Sequence, residues 1–227
     1  MIVDDISMAR HRMGGILTII RESLSMVLRD MESQGNTDHV KVLSRANKNV
    51  DRLIRLANNY FLIQMLEAGI IDVNSKVDDL NKVAQVICTN LSTVASQKET
   101  EIVLKLDDKL PKTKFDSELM GIVIENLVSN AIDFTDNGTI VVTIFSDDES
   151  IRLSVADTGC GIDESEVSKL FHRFEKLSNN SERGRTGDGM GLAVSKEIMT
   201  KLGGGIWLES TSDKGSTFVI SLPIRVD

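Results

Sequence analysis

Asp157-Thr158-Gly159-Cys160-Gly161-Ile162 and Gly187-Asp188-Gly189-Met190-Gly191-Leu192 are the stretches on which the reading of this chain turns. Glycines at that density, each near the end of an apolar run, let backbone approach a ligand where a Cβ would collide. Backbone N–H groups freed in this way suit phosphate, most of all at a helix start. Asp157 follows directly on the strand-like run 151–156, so its carboxylate is predicted to accept hydrogen bonds from a ligand amine at a sheet edge. The two clusters read as one nucleotide pocket, with the polar segment between them as its lid.

Working outward, residues 1–69 hold no proline and read as two long helices. Ile6, Met13, Ile16, Leu17, Ile20, Leu24, Val27 and Met31 recur at three- and four-residue spacing, the mark of an amphipathic helix. A turn cluster at 34–38 breaks the pattern, and Val40, Leu43, Ala46, Val50, Leu53, Ile54, Ala57 and Phe61 then repeat it. One such antiparallel hairpin cannot bury its own stripe, whereas two paired in a four-helix bundle do. A homodimer is therefore expected. Residues 70–76 read as a linker, and 77–227 as a second, mixed domain. It shows helical patterns at 80–97, 116–134 and 190–202, and strands at 101–106, 139–145, 151–156, 206–210 and 216–223. Strands covered on one face by three helices make a two-layer α/β sandwich, so the whole chain is α+β.

The composition fits this picture. A 227-residue chain with 41% hydrophobic and 26% charged residues is ordinary globular material. Its net charge of −8 speaks against a broad nucleic-acid surface. Cys88 and Cys160 stand far apart without metal-type spacing, which points to a reduced, intracellular setting. No apolar run approaches the roughly 20 residues needed to span a bilayer, and no signal peptide is visible. The expected location is cytoplasmic, with no membrane segment in this chain; a sensory or membrane part upstream stays open.

Within Glu125–Thr135, ENLVSNAIDFT, Asn126 and Asn130 are four apart and project from one helix face. Amide oxygens suit a hard cation such as Mg²⁺, which bridges nucleotide phosphates while keeping several waters. Adding LFHRF (170–174) and KGSTF (214–218), the chain resembles the sensor histidine kinases, box after box in the same order. The likeness covers the whole chain, because an amphipathic hairpin bearing a histidine precedes the boxes. It implies a Bergerat-type ATP-binding fold of the kind shared with gyrase- and chaperone-type ATPases. It also implies that Asn130 holds Mg²⁺ with help from Asn126, that Asp157 accepts from the adenine amino group, and that Phe134 flanks the ring. Gly159 and Gly161 would shape the pocket wall, and Gly187, Gly189 and Gly191 would sit against the phosphates. Phe171 and Phe174 would anchor the lid, with Lys176 on a phosphate. Ile162, Met190, Leu192 and Thr217 are further cofactor-binding positions of those boxes.

The related hydrolytic ATPases carry a glutamate four residues ahead of the metal asparagine. Here that position is Asn126, and Glu125 points about 100° away around the helix. Without that base the pocket is suited to transfer rather than to hydrolysis. Of the three histidines, His39 falls at the turn and His172 in the lid anchor, leaving His11 on the first helix as the phosphoacceptor. A neutral imidazole nitrogen is nucleophilic near neutral pH. The expected function is an ATP-dependent protein-histidine kinase core that passes its phosphoryl group to an aspartate of a response-regulator receiver domain. The alternatives are a pseudokinase or phosphorelay module of the same fold, and a serine kinase or hydrolytic ATPase.

Three positions depart from the family pattern. Arg12 replaces an acidic neighbour of the histidine, and Gly15 stands where a Thr or Asn would orient water, so weak phosphatase activity is expected. Asp133 replaces a cation that faces the phosphates, so low ATP affinity is expected. Gly14 and Gly15 together are predicted to mark a bend in the first helix, at a cost of roughly 1 kcal/mol each. Partner choice is expected to depend on exposed side chains below His11, among them Arg21, Ser25 and Arg29.

Overall fold

A computed structural model describes residues 2–34, 37–175 and 189–225. The chain forms two compact units, residues 1–71 and 72–227.

In the first unit, α1 (Ile2–Ser33) and α2 (Thr37–Glu67) pack against one another. Leu17, Ala57 and Phe61 make the buried centre of the hairpin, with Ile6 and Ile54 against them. Tyr60 meets the Phe61 ring edge-on at 5.8 Å between centroids. Leu24, Met31, Val40, Leu43, Ala46 and Val50 of the predicted stripe are half-buried, and the rest of it is not covered. Met13, Ile16, Ile20 and Val27 stay exposed, as do Met8, Ile19 and Met26 on α1 and Val42 and Leu53 on α2. Helix α1 runs unbroken through Gly14 and Gly15, where an added Cβ would meet nothing within 4 Å. Ser25 corrects the sequence reading: its hydroxyl accepts from Asn47 Nδ2 at 3.3 Å, inside the hairpin. Arg21 and Arg29 remain exposed.

The second unit runs β1 (Lys76–Asp78), α3 (Leu80–Ser96), β2 (Glu101–Lys105), β3 (Thr113–Phe115), α4 (Ser117–Phe134), β4 (Thr139–Ser146) and β5 (Ser150–Asp157). A 3₁₀ helix (Glu164–Lys169) follows, then α5 (Gly191–Lys201), β6 (Gly205–Ser212) and β7 (Gly215–Pro223). Five strands form one sheet in the order β2-β4-β5-β7-β6, parallel between β2 and β4 and antiparallel elsewhere. Strands β1 and β3 pair separately, Lys76 opposite Phe115. At three residues each they are too short to show a period of two, and no strand was predicted at either place.

The core lies between this sheet and α4. Alternate residues Ile140, Val142 and Ile144 of β4 and Ile151, Leu153 and Val155 of β5 are buried, as are Met120, Val123, Ile124, Leu127 and Val128 of α4. Helix α4 starts at Asp116, whose carboxylate accepts from the N–H groups of Glu118 and Leu119 at 3.1 Å each. It ends under Lys98, whose ammonium donates to the carbonyls of Ile132 at 2.8 Å and Asp133 at 3.1 Å. A cation there complements the helix dipole. The carboxylate of Asp133 lies 3.9 Å from the same ammonium, at the helix end and outside the nucleotide pocket described below.

Candidate functional site

Asp157, the last residue of β5, stands where the sheet meets the first glycine loop. Its Oδ1 accepts from the Gly159 N–H at 2.8 Å, and its carboxylate also takes the Ser216 N–H. Burial nevertheless pushes its pKa above the usual carboxylate range, outweighing both donors. Two glycines make this packing possible. Gly215 has φ 127°, and a Cβ there would overlap the Asp157 carbonyl oxygen. Gly161 has φ 66°, and a Cβ there would overlap the Ser212 carbonyl. Thr211 Oγ1 accepts from the Ile162 N–H at 2.8 Å and lies 3.1 Å from Ser216 Oγ, which sews the glycine loop to the β6–β7 hairpin.

These residues open on a pocket of about 620 Å³, partly open to solvent. Asn130, Phe134, Asp157, Gly161, Ile162 and Leu192 line it, and α4, β5 and the start of α5 bring them together from distant parts of the sequence. Much of the remaining wall is apolar, with Leu127, Ala131, Val155, Leu170 and Phe218. A largely apolar slot whose wall carries the carboxylates of Asp157 and Glu166 suits a flat heterocycle bearing an amino group.

The other predicted positions sit elsewhere. Gly159 lies against the end of α4, where a Cβ would overlap the Phe134 carbonyl. Met190 is fully buried and does not line the pocket. Thr217 is not among the lining residues: on β7 these are its neighbours Ser216 and Phe218, and alternation turns the Thr217 side chain to the other face of the sheet. Lys176 and Gly187 lie outside the described residues. Sequence reasoning missed Ser216, Cys160 and Glu166, all lining the pocket. The period-two alternation of KGSTF was the available signal for Ser216. Nothing in the sequence marked Glu166, which the 3₁₀ helix buries to 7% exposure.

Asn126 does not line the pocket; its side chain ties α4 to α5. Its Nδ2 donates to the Gly191 carbonyl at 3.1 Å and to Ser195 Oγ at 3.2 Å. The nitrogen side of the amide is thus turned to α5, and Asn126 Oδ1 takes no hydrogen bond among the described residues. Among the described residues no group of three or more His, Cys, Asp and Glu side chains is placed to hold a metal. A donor set of amide oxygens from Asn126 and Asn130 fits Mg²⁺, which completes its shell with water and phosphate oxygens. Glu125 is exposed in a groove between α3 and α4, beside Lys82 and Ile122, and away from the pocket.

The base of the lid is built by two contacts with α5. Lys196 Nζ lies 5.8 Å from the Phe171 ring centre, and Arg173 pairs with Glu197 at 3.6 Å. Phe174 anchors through its backbone rather than its ring. Its N–H donates to the Gly189 carbonyl at 2.9 Å, φ is 63°, and the ring is 53% exposed.

Residues 115–226 match the family described as histidine kinase-, DNA gyrase B-, and HSP90-like ATPase. Over 188 residues the chain is 34% identical to the sensor protein GacS of Pseudomonas syringae pv. syringae, a match covering 80% of this chain and 21% of GacS. It is 31% identical over 176 residues to the circadian input-output histidine kinase CikA of Synechococcus elongatus, covering 76% of this chain and 23% of CikA. The chain thus spans about a fifth of the length of these curated relatives. Among solved structures, full-length ShkA in complex with AMPPNP shares the fold at 23% identity and a TM-score of 0.78, over 99% of this chain and 46% of ShkA. The histidine kinase AdeS of Acinetobacter baumannii shares it at 21% identity and a TM-score of 0.67, over 90% of this chain and 97% of AdeS. No helix among the described residues is long and apolar enough to cross a membrane. Residues 115–226 are therefore a histidine kinase-, DNA gyrase B-, and HSP90-like ATPase domain, and the chain belongs with the catalytic cores of sensor histidine kinases.

Proposed function

We propose that the chain is an ATP-dependent protein-histidine kinase core that phosphorylates its own His11 and passes the phosphoryl group to an aspartate of a response-regulator receiver domain. The observation that carries this reading is the pocket lined by Asp157 and Asn130, with no glutamate four residues ahead of Asn130: that position is Asn126, whose side chain ties α4 to α5, and Glu125 faces another groove. The apolar slot takes adenine, with Asp157 accepting from its amino group. Asn126 and Asn130 hold Mg²⁺, whose charge offsets that of the phosphates. His11 is exposed on α1, so its imidazole is open to an incoming γ-phosphate. His39 and His172 are exposed too, and the choice of His11 rests on its place within the long helix. In the transfer an N–P bond forms at His11 as the P–O bond to ADP breaks. The aspartate carboxylate of the partner then takes the phosphoryl group and frees the imidazole. Uncovered apolar side chains on both helices of the hairpin support a homodimer of this chain.

The test is incubation of the purified chain with γ-labelled ATP and Mg²⁺. An acid-labile, alkali-stable label that disappears in His11→Ala is expected. ATP binding without label would instead favour a pseudokinase or relay, and steady phosphate release without label would favour an ATPase.

A further inference from the structure

Ser195 is a fully buried serine in the interior of α5, where alanine would form helix at least as well. Its hydroxyl donates to the Gly191 carbonyl at 3.0 Å, one turn back, and accepts from Asn126 Nδ2 at 3.2 Å. Gly191 O also accepts from Asn126 Nδ2 at 3.1 Å. A carbonyl oxygen only accepts, so the nitrogen of the Asn126 amide must face Gly191. The identities of Oδ1 and Nδ2 are therefore settled by chemistry. With the nitrogen turned to α5, Oδ1 takes no hydrogen bond among the described residues. It lies 3.4 Å from the place a Gly191 Cβ would occupy, an ordinary van der Waals distance, so it stands beside the start of α5.

We propose that Ser195 is a positioning residue for the metal site, holding the Asn126 amide so that its Oδ1 presents to Mg²⁺. The inference rests on the nucleotide reading above. It also makes the start of α5, directly after the second glycine cluster, part of the metal site's support, since one hydroxyl holds both. Groups behind a metal ligand fix its orientation, and their removal weakens metal binding by about 10- to 100-fold.

The test measures binding of a fluorescent ATP analogue to the full chain while Mg²⁺ is titrated, and again in excess chelator. Ser195→Ala is expected to need about 10-fold more Mg²⁺ for the half-maximal response, with metal-free affinity unchanged. Ser195→Thr, which keeps the hydroxyl, is expected to restore the native Mg²⁺ requirement. An unchanged requirement in Ser195→Ala overturns the proposal. So does an equal loss of metal-free affinity, which marks a role in folding alone. If nucleotide binds to the native chain with no response to Mg²⁺, the metal reading of the pocket falls first and this inference with it.

Discussion

The two units of this chain solve the same problem in opposite ways. The sandwich covers its own apolar surface: α4 and the inward faces of β4 and β5 are buried almost to the last residue. The hairpin leaves most of α1 uncovered, with Leu17 as that helix's buried hydrophobic residue among those described. A sheet presents a broad face that three helices can close within one chain. A pair of helices presents two stripes and has only one partner for each. The nucleotide pocket thus sits in a self-sufficient body, while the proposed phosphoacceptor sits on an element that the proposed homodimer would complete.

This contrast is most strongly tested by placing charge on the hairpin. Ile16→Asp combined with Ile20→Asp would bury uncompensated carboxylates in the proposed bundle, at a cost of about 3 kcal/mol or more. Sedimentation should show the dimer dissociation constant raised by at least about 100-fold. Nucleotide affinity should not change, because the pocket lies in the other unit. Association that survives both charges would break the comparison. Ile124→Ala probes the opposite case. This fully buried α4 side chain should cost about 2 to 5 kcal/mol on truncation. The loss should be the same at every protein concentration, since no second molecule contributes to that core.

Asp157→Asn sharpens the comparison within the sandwich. Losing a charged acceptor should weaken ATP binding by about 10- to 100-fold, or roughly 1.5 to 3 kcal/mol. Stability should move the other way. Burial raises the Asp157 pKa in the folded state, so the folded protein holds that proton more tightly than the unfolded chain does. The associated stability is full below the unfolded carboxylate pKa and is lost as pH rises through the raised value. Near neutral pH the nucleotide-free Asn variant should therefore melt above the native protein, with the gap closing on acidification. Melting curves from pH 3 to about pH 8 would show it. The smallest effect belongs to Gly15→Ala, which should stabilise α1 by about 1 kcal/mol in a denaturant titration.

The sheet and its helices were legible because each runs long enough to display its period. Eight residues of β4 alternate cleanly, and α3, α4 and α5 fall within a residue or two of their predicted bounds. Strands β1 and β3 were not legible, since three residues carry no period. Within the site, glycines and asparagines announced Asp157, Asn130 and Gly161 because their chemistry is unusual for their surroundings. Ser216 and Glu166 looked like any surface polar residue, and only the fold turns them to the pocket. The approach of Lys98 to Asp133 was not legible either, since the two are distant in sequence and only the fold brings that ammonium to the end of α4. Ser25 likewise looked like a surface residue until Asn47 came opposite it.

Gly215 packs on Asp157, and β7 enters the sheet between β5 and β6. The strand made last is thus an interior one. During synthesis α4, β5 and the glycine loops leave the ribosome before residues 215–223, and until then the pocket lacks Ser216 and Phe218 on one wall. On the proposed reading, adenine would find its full slot only once β7 has joined the sheet. Any product stopped short of β7 would display the hairpin with no working nucleotide site behind it.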